Sequence, residues 1–311
     1  MPMVSIITPC YNGAAFVERT VQSVRAQSID NWEHVVVDDG STDDSATILT
    51  TIGEVEPRLR VIRQENRGVA AARNAGFCAV QAASRYLLFL DADDCLASHM
   101  LASLTKYLDL HPDVGMVYCG HTLIDANDQT IPPARAACSN RRYVSTAMWV
   151  RQLADNESAT PFESVFVFAG ILPSFALIRR SVYDQTPGWD ERFGRPHEDT
   201  ELFLHIAIRS MIHYAAEPLV MYRRHAFQNT ACLDPRQFDR QERKLRDKWT
   251  NMPGLTAQQR LIVARAIRFR EGCLVPHRGI QSAVGYLRRG EVFLAARFFG
   301  GAIRRYGAWL L

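Results

Sequence analysis

The chain has 311 residues, 47% of them hydrophobic and 22% charged, with a formal net charge of +3. That length suits one large domain, or one domain with an appendage. The composition excludes disorder, collagen and a coiled coil as descriptions of the whole chain. Seven cysteines, none in a Cys-x-x-Cys pair, argue against a disulfide framework and against a zinc cluster. The longest uncharged apolar stretch, Ser164 to Ile178, is interrupted by Pro173 and is shorter than the roughly 20 residues that span a bilayer. No basic region leads into an apolar segment at the N-terminus, so a cytoplasmic location is expected. Charge is uneven: acids dominate up to residue 233 and Arg dominates from 234 onward, with Lys only at 106, 244 and 248. An acidic body with a basic tail points to two parts with different partners.

The first hundred residues alternate strand and helix signals. Val4 to Thr8 is a β-rich run, and Phe16 to Gln27 carries apolar residues at helical spacing. His34 to Asp38 reads as a strand buried on both faces. Asp43 and Asp44 can start the next helix, Arg60 to Ile62 is a weaker strand, and Gly68 opens an Ala-rich helix to about Ala83. Tyr86 to Leu90 is a fourth strand, ending at a cluster of carboxylates. Beyond it the pattern predicts a helix over 96–110, a strand over 114–119, a loop over 125–145 and a helix over 146–155. A strand over 170–180, a helix over 200–209 and a strand over 213–222 follow. Such alternation implies a mostly parallel, Rossmann-like α/β sheet with helices on both faces. We place a catalytic domain at 1–233 and a basic helical region at 234–311.

In such sheets ligands bind beyond the carboxyl ends of the strands, and three of these ends are polar: Thr8 to Asn12, Asp38 to Asp43, and Asp91 to Asp94. Asp91-Ala92-Asp93-Asp94 offers hard oxygen ligands for Mg²⁺ or Mn²⁺, although a single Asp there could equally cap the next helix. Gly40 permits a tight turn, which leaves Asp39 able to hold a base or ribose. Arg73 and Asn74 are the polar exceptions on a helix of small residues, so Arg73 is expected to face inward toward an anion. Glu198 and Asp199 sit at a helix start, where the dipole favours carboxylates. Adjacent helical residues do not share a face, so at most one of the two is expected in a site. Tyr222-Arg223-Arg224-His225 offers a cationic pair and a metal or phosphate contact, although a lone His is more often structural.

Taken in order, these blocks resemble one family. Val4-Ser-Ile-Ile-Thr-Pro-Cys-Tyr-Asn12, Val35-Val-Val-Asp-Asp-Gly-Ser-Thr-Asp43, Asn66-Arg-Gly68, Ala72-Arg-Asn-Ala-Gly76 and Leu88-Phe-Leu-Asp-Ala-Asp-Asp94 look like the family 2 inverting glycosyltransferases of the glycosyltransferase-A fold. Gly188-Trp-Asp-Glu-Arg-Phe193, Glu198-Asp199 and Tyr222-Arg-Arg-His225 continue the resemblance, which covers about residues 3–230. It implies transfer of a sugar from a nucleoside-diphosphate-sugar of the UDP or dTDP type to an acceptor hydroxyl. The acceptor would be a carbohydrate or a lipid-linked species in surface polysaccharide or glycolipid synthesis, and nucleic acid has no part. It further implies that Thr8, Pro9, Tyr11 and Asp39 form the nucleoside pocket, that Arg73 holds the nucleotide and that Asp91 binds the ribose. Asp93 would bind Mn²⁺ or Mg²⁺, with His225 as a further metal or diphosphate contact. Asp199 matches the general base, with Glu198 as the other candidate, and residues 125–165 fall to the acceptor side.

Two other enzyme classes fit less well. A phosphotransferase using Asp91 as nucleophile needs a later Lys, and the only one before the boundary is Lys106. A nicotinamide dehydrogenase needs Gly-x-Gly-x-x-Gly after the first strand, where Pro9 to Gly13 offers one glycine. A non-catalytic nucleotide-sugar or carbohydrate-binding protein on the same fold is the alternative of a different class. In the tail, Ile262, Val263, Ala266, Ile267 and Phe269 share a helical face opposite Arg265 and Arg268. Two further amphipathic stretches run over 280–287 and 292–303. These either pack on the catalytic domain or attach it to an anionic membrane at the inner face of the cell membrane.

Overall fold

A computed structural model of the chain describes residues 3–132, 143–145, 150–152, 156–167, 171–193, 197–226, 228 and 235–270. In its first part, β1 (Val4–Cys10), β2 (Trp32–Asp38), β3 (Leu59–Arg63) and β4 (Tyr86–Phe89) alternate with α1 (Val17–Arg25), α2 (Ser45–Val55) and α3 (Val69–Ala79). Every residue of β2 is buried, as a strand covered on both faces requires. The small residues of α3 let it lie close on the sheet: a Cβ at Gly76 would collide with the Ile7 side chain. Then come β5 (Cys95–Leu96), α4 (Met100–Leu110), β6 (Val114–Ile124), β7 (Tyr143–Ser145), β8 (Val150–Gln152) and α5 (Phe162–Val167). A 3₁₀ turn at Pro173–Phe175 leads into β9 (Ala176–Arg179), α6 (Arg180–Tyr183), α7 (Glu198–Ala207), β10 (Met211–Arg223), α8 (Pro235–Thr250) and α9 (Ala257–Phe269).

Eight strands form one sheet in the order β3-β2-β1-β4-β9-β6-β10-β5. β1 pairs in parallel with both β2 and β4, with Val4 opposite Trp32 on one side and Tyr86 on the other. That register brings the carboxyl ends of all three strands to one edge, and the three polar segments with them. Most of the pairings are parallel, as expected, but β9 runs antiparallel to both β4 and β6 and β5 runs antiparallel to β10, so the sheet is also mixed. β10 continues past Pro218 through register shifts, which let a residue without an N–H sit in a long strand.

The helix expected over 146–155 is not formed, since Val150–Gln152 pairs antiparallel with Tyr143–Ser145. Pairing with a neighbouring segment overrides the local helical pattern there. Beyond residue 233, Leu245 and Trp249 of α8 and Val263 and Ala266 of α9 are buried in the same cluster as Leu88, Val117 and Leu177 of the sheet. These two helices therefore complete the core of the sheet domain, and Arg265 and Arg268 are exposed as the spacing predicts. The amphipathic stretches at 280–287 and 292–303 lie outside the described residues. Among the described residues, no helix is long and apolar enough to cross a membrane.

Candidate active site

A cavity of about 740 Å³ opens at the carboxyl edge of the sheet. Its nucleotide-sized end is made by two loops stitched to each other. Asn12, in the left-handed region at φ 51°, accepts the Thr42 N–H on Oδ1 at 2.8 Å and donates its own N–H to Ser41 Oγ. Gly13 N–H donates to Ser45 Oγ, and Ala14 N–H to Asp43 Oδ2. Asp43 thus ties the first loop down while also accepting from Ser45 N–H at the start of α2. Tyr11 stands beside these loops with its ring half exposed, a free aromatic face at the edge of the cavity.

Asp39 lies deeper and is 3% exposed. Its Oδ1 accepts from Gln64 Nε2 at 2.7 Å and from Arg67 N–H at 3.0 Å, while Oδ2 accepts from Gly68 N–H at 2.9 Å. The Gly40 turn (φ 76°) allows this close approach, because a Cβ there would lie 2.9 Å from Asn66 N. Pro9, Tyr11 and Asp39 all line the cavity, as expected. Thr8 does not: it is fully buried and its Oγ1 bonds His34 Nε2 at 2.8 Å. Strand alternation turns that side chain into the core and away from the cavity.

Arg73 is 3% exposed and faces the cavity. Its Nη2 donates to Asp91 Oδ1 at 2.7 Å, its Nη1 lies 3.9 Å from Glu198 Oε1, and its guanidinium carbon sits 4.2 Å from the centroid of the Trp189 ring. Nε and Nη1 make no hydrogen bond among the described residues. A buried guanidinium with unused donors is poised for an anionic ligand. Within the chain, the anionic partner of Arg73 is Asp91.

The Asp91–Asp94 loop divides its four positions between the cavity and the core. Asp91 and Asp93 line the cavity, and Asp93 Oδ2 meets His225 Nε2 at 3.0 Å. Burial and the neighbouring Asp91 push the Asp93 carboxyl above the usual range, with His225 pulling it partly back. Asp94 is fully buried, accepts the Arg223 N–H at 3.1 Å, and is pushed well above its ordinary value by burial and by Asp93 and Asp91. Arg223 is one of the cationic pair that the sequence places at the end of β10. It is fully buried and works as a strut: Nε donates to Asp93 O at 2.8 Å and Nη1 to Asp125 O and Asp128 Oδ1.

Glu198 and Asp199 both line the cavity, where only one was expected. α7 meets the cavity with its first turn, so both residues flank the helix end rather than opposite sides of a cylinder. Thr200 N–H and Oγ1 both donate to Asp199 Oδ1, and Oδ2 takes no hydrogen bond from the described residues. Burial first, and then repulsion from Glu198, raise the Asp199 carboxyl to about 7. His197, just before it, is in the left-handed region at φ 98° and also lines the cavity. Such a conformation in a non-glycine residue is strained and concentrates at functional sites. His197, Trp189 and Gln228 had no role in the sequence reading, and nothing local in the sequence marks His197 for a positive φ.

A divalent ion is the group that the resemblance implies here. Asp91 and Asp93 both line the cavity, and His225 has a buried Nδ1 with no hydrogen-bond partner among the described residues. The two carboxylates are the hard oxygen donors that Mn²⁺ or Mg²⁺ takes, so they fit the ion, while the His225 imidazole meets Asp93 through Nε2. Among the described residues no three metal-ligating side chains already converge.

Parallel strands β1 to β4, with their polar carboxyl ends gathered at one cavity, fit a glycosyltransferase-A fold, which the structural matches below share. Residues 5–186 match the sequence profile described as "Glycosyl transferase family 2", and the chain belongs to that family. Over 130 residues it is 45% identical to the putative teichuronic acid biosynthesis glycosyltransferase TuaG of Bacillus subtilis, covering 42% of this chain and 50% of that protein. The chain matches half or less of the length of the first curated relatives. Its fold resembles S. aureus TarS residues 1–349 in complex with UDP-GlcNAc, with a TM-score of 0.66 and 19% identity over 97% of this chain and 81% of that one. It also resembles the mannosyltransferase PcManGT of Pyrobaculum calidifontis in complex with GDP-Man and Mn²⁺, with a TM-score of 0.55 and 18% identity over 98% and 87% of the two chains.

Proposed function

We propose that the protein is an inverting, metal-dependent glycosyltransferase that moves a sugar from a UDP- or dTDP-type donor to an acceptor hydroxyl. The observation that carries the reading is Arg73, buried beside Asp91 and Glu198 with two nitrogens unused inside the cavity. A diphosphate supplies the acceptor oxygens those nitrogens lack. Tyr11 offers its ring to the base, while Asp39 shapes the base pocket by holding Gln64 and residues 67–68 in place. Asp91, Asp93 and His225 would hold Mn²⁺ or Mg²⁺, which when bound offsets charge on the leaving diphosphate.

Asp199 takes the proton from the acceptor hydroxyl, and its elevated carboxyl pKa of about 7 suits a base working near neutral pH. One in-line displacement at the anomeric carbon inverts its configuration. Release of free nucleoside diphosphate from a panel of sugar nucleotides, with and without Mn²⁺, tests the reading. A binding-only protein would release none, and full activity in excess chelator would remove the metal from the scheme.

TuaG's description supports an acceptor in surface polysaccharide or glycolipid synthesis. A carbohydrate or lipid-linked acceptor at the inner face of the cell membrane, met through peripheral contact of the basic C-terminal region with anionic lipid, fits that role. Each basic residue near such a surface contributes about 1 kcal/mol. Liposome co-sedimentation of the full chain should require anionic lipid and weaken with salt. Truncation should follow residue 270, since a break before α9 would open the core. Equal recovery in the supernatant with and without anionic lipid would reduce the tail to a structural cap.

A further inference from the structure

Two of the three lysines in the chain, Lys244 and Lys248, sit one turn apart on α8 and reach the same place. Lys244 Nζ donates to Arg192 O and lies 4.8 Å from the centroid of the Phe193 ring. Lys248 is more deeply set. Its Nζ donates to Asp190 Oδ2 at 2.8 Å and, through a second short contact, to Glu201 Oε1. Glu201 is completely buried on α7, and its Oε1 also meets His205 Nε2 at 2.8 Å. Leu245, Lys248 and Trp249 share one face of α8 by their spacing. The Trp249 ring packs 4.9 Å from His205 and 5.4 Å from Phe162, between centroids.

Glu201 belongs to α7, whose first turn lines the cavity, and Asp190 to the turn that backs Arg73, a lining residue. Asp190 follows Trp189, whose ring carries the Arg73 guanidinium and whose backbone is bonded on both sides by Asn74. Glu201 follows Glu198 and Asp199 by less than one turn of α7. A buried carboxylate without a partner is strongly destabilising, because its desolvation is then uncompensated. Lys248 bridges both carboxylates with one ammonium group, while Asp190 is also held by Arg192 through Nε and Nη2 at 2.8 Å each. Nearly every other cationic residue in this chain is Arg, whose planar fork is a poorer fit between two carboxylates converging on one point.

We propose that Lys248 is a positioning residue: from α8 it clamps the 188–193 turn to the first turns of α7 and so fixes the wall that carries Asp199. Its effect on turnover rests on the reading of Asp199 as the base; the clamp itself does not. The residues after 233, which already share the core of the sheet domain, then also reach the cavity wall through the ammonium group of Lys248.

Amide hydrogen exchange on the full chain tests the clamp without any substrate, comparing wild type with Lys248→Met and Lys248→Arg. In Lys248→Met, exchange across residues 188–193 and 198–207 should rise about tenfold or more while β1, β2 and β3 keep wild-type protection. Lys248→Arg should restore only part of the protection, because the planar fork fits the two converging carboxylates less well. Unchanged exchange in Lys248→Met would overturn the proposal. So would a uniform rise over the whole chain, which would make Lys248 a general stabiliser. UDP with Mn²⁺ as the binding probe should keep its affinity within about threefold in Lys248→Met, since the loops around Tyr11 and Asp39 lie outside the clamp, while turnover falls at least about tenfold. Loss of UDP affinity in step with turnover would also overturn it. Turnover surviving in Asp199→Asn would remove the base assignment, and the exchange comparison would still decide the clamp.

Discussion

The two sides of the cavity are held together by different means. On the side of Tyr11 and Asp39, the loops after β1, β2 and β3 are joined by short polar side chains bonding backbone N–H groups of segments about 30 residues away. On the side of Asp199, the turn at 188–193 and α7 are held by charges reaching in from elsewhere, with Lys248 47 residues beyond Glu201 and Arg73 more than 100 residues before Glu198. The first side is a built socket. The second depends on long-range charge compensation, and its geometry is correspondingly easier to disturb.

The largest effect should come from the charge-held side. Asp199→Asn should lower transfer by about 10²–10⁴ while donor binding stays within a few-fold of wild type. Glu198→Gln should retain substantial turnover, and a reversed ranking in steady-state assays would exchange the two roles. With the Asp199 carboxyl near 7, kcat should rise with pH up to about 7 and then level off, because the base works ionised. Stability should run the other way. The folded-state pKa lies above the ordinary value of 3.8, so this group's contribution is complete below about 4 and is lost as pH rises through 7. Asp199→Asn should therefore melt several degrees above wild type at pH 8 and together with it at pH 4.

A second test falls where the two sides meet. Asp93→Ala should abolish Mn²⁺-dependent donor binding, measured by calorimetry, with a melting temperature close to wild type. Equal affinity in the variant would remove Asp93 from the ion site. The buried strut should act on stability instead: Arg223→Met leaves the Asp93 and Asp125 carbonyls and Asp128 Oδ1 without their side-chain donor and should cost about 3 kcal/mol or more in chemical denaturation. The smallest effect is expected at the exposed bridge between the sides, Arg67 to Glu191 at 3.0 Å. Arg67→Ala should change stability by less than about 1 kcal/mol, and a larger loss would mean that the sides are coupled there.

The same difference explains what was legible in the sequence. Socket residues lie next to strand ends, so Val35 to Asp43 and Leu88 to Asp94 announce a site by local pattern alone. Asp39, Arg73, Asp91 and Asp93 are where that pattern puts them. Thr8 shows its limit: membership of the right block does not say which face of the strand a side chain takes. Helical spacing was misleading for Glu198 and Asp199, because a rule about faces does not apply to a helix approached by its end. Arg223 and Lys248 were beyond reach, since their partners lie 130 and 47 residues away and no periodicity links them. The antiparallel β9 and the pairing of β8 were hidden for the same reason. Both depend on which segment lies alongside, which a local pattern does not encode.

The clamp at Lys248 also has a consequence in time. A ribosome adding about 5–20 residues per second delivers Lys248 roughly 2–10 s after Glu201, given the 47 residues between them. During that interval the nascent chain can already hold the socket side, whose partners are all synthesised by residue 68, while Glu201 has only His205 on its own helix and not yet Lys248 to accompany it into the core. The base helix is therefore the last wall to set. Ribosome-stalled chains ending well before α8 should show a protease-resistant β1–β3 region and a cleavable α7.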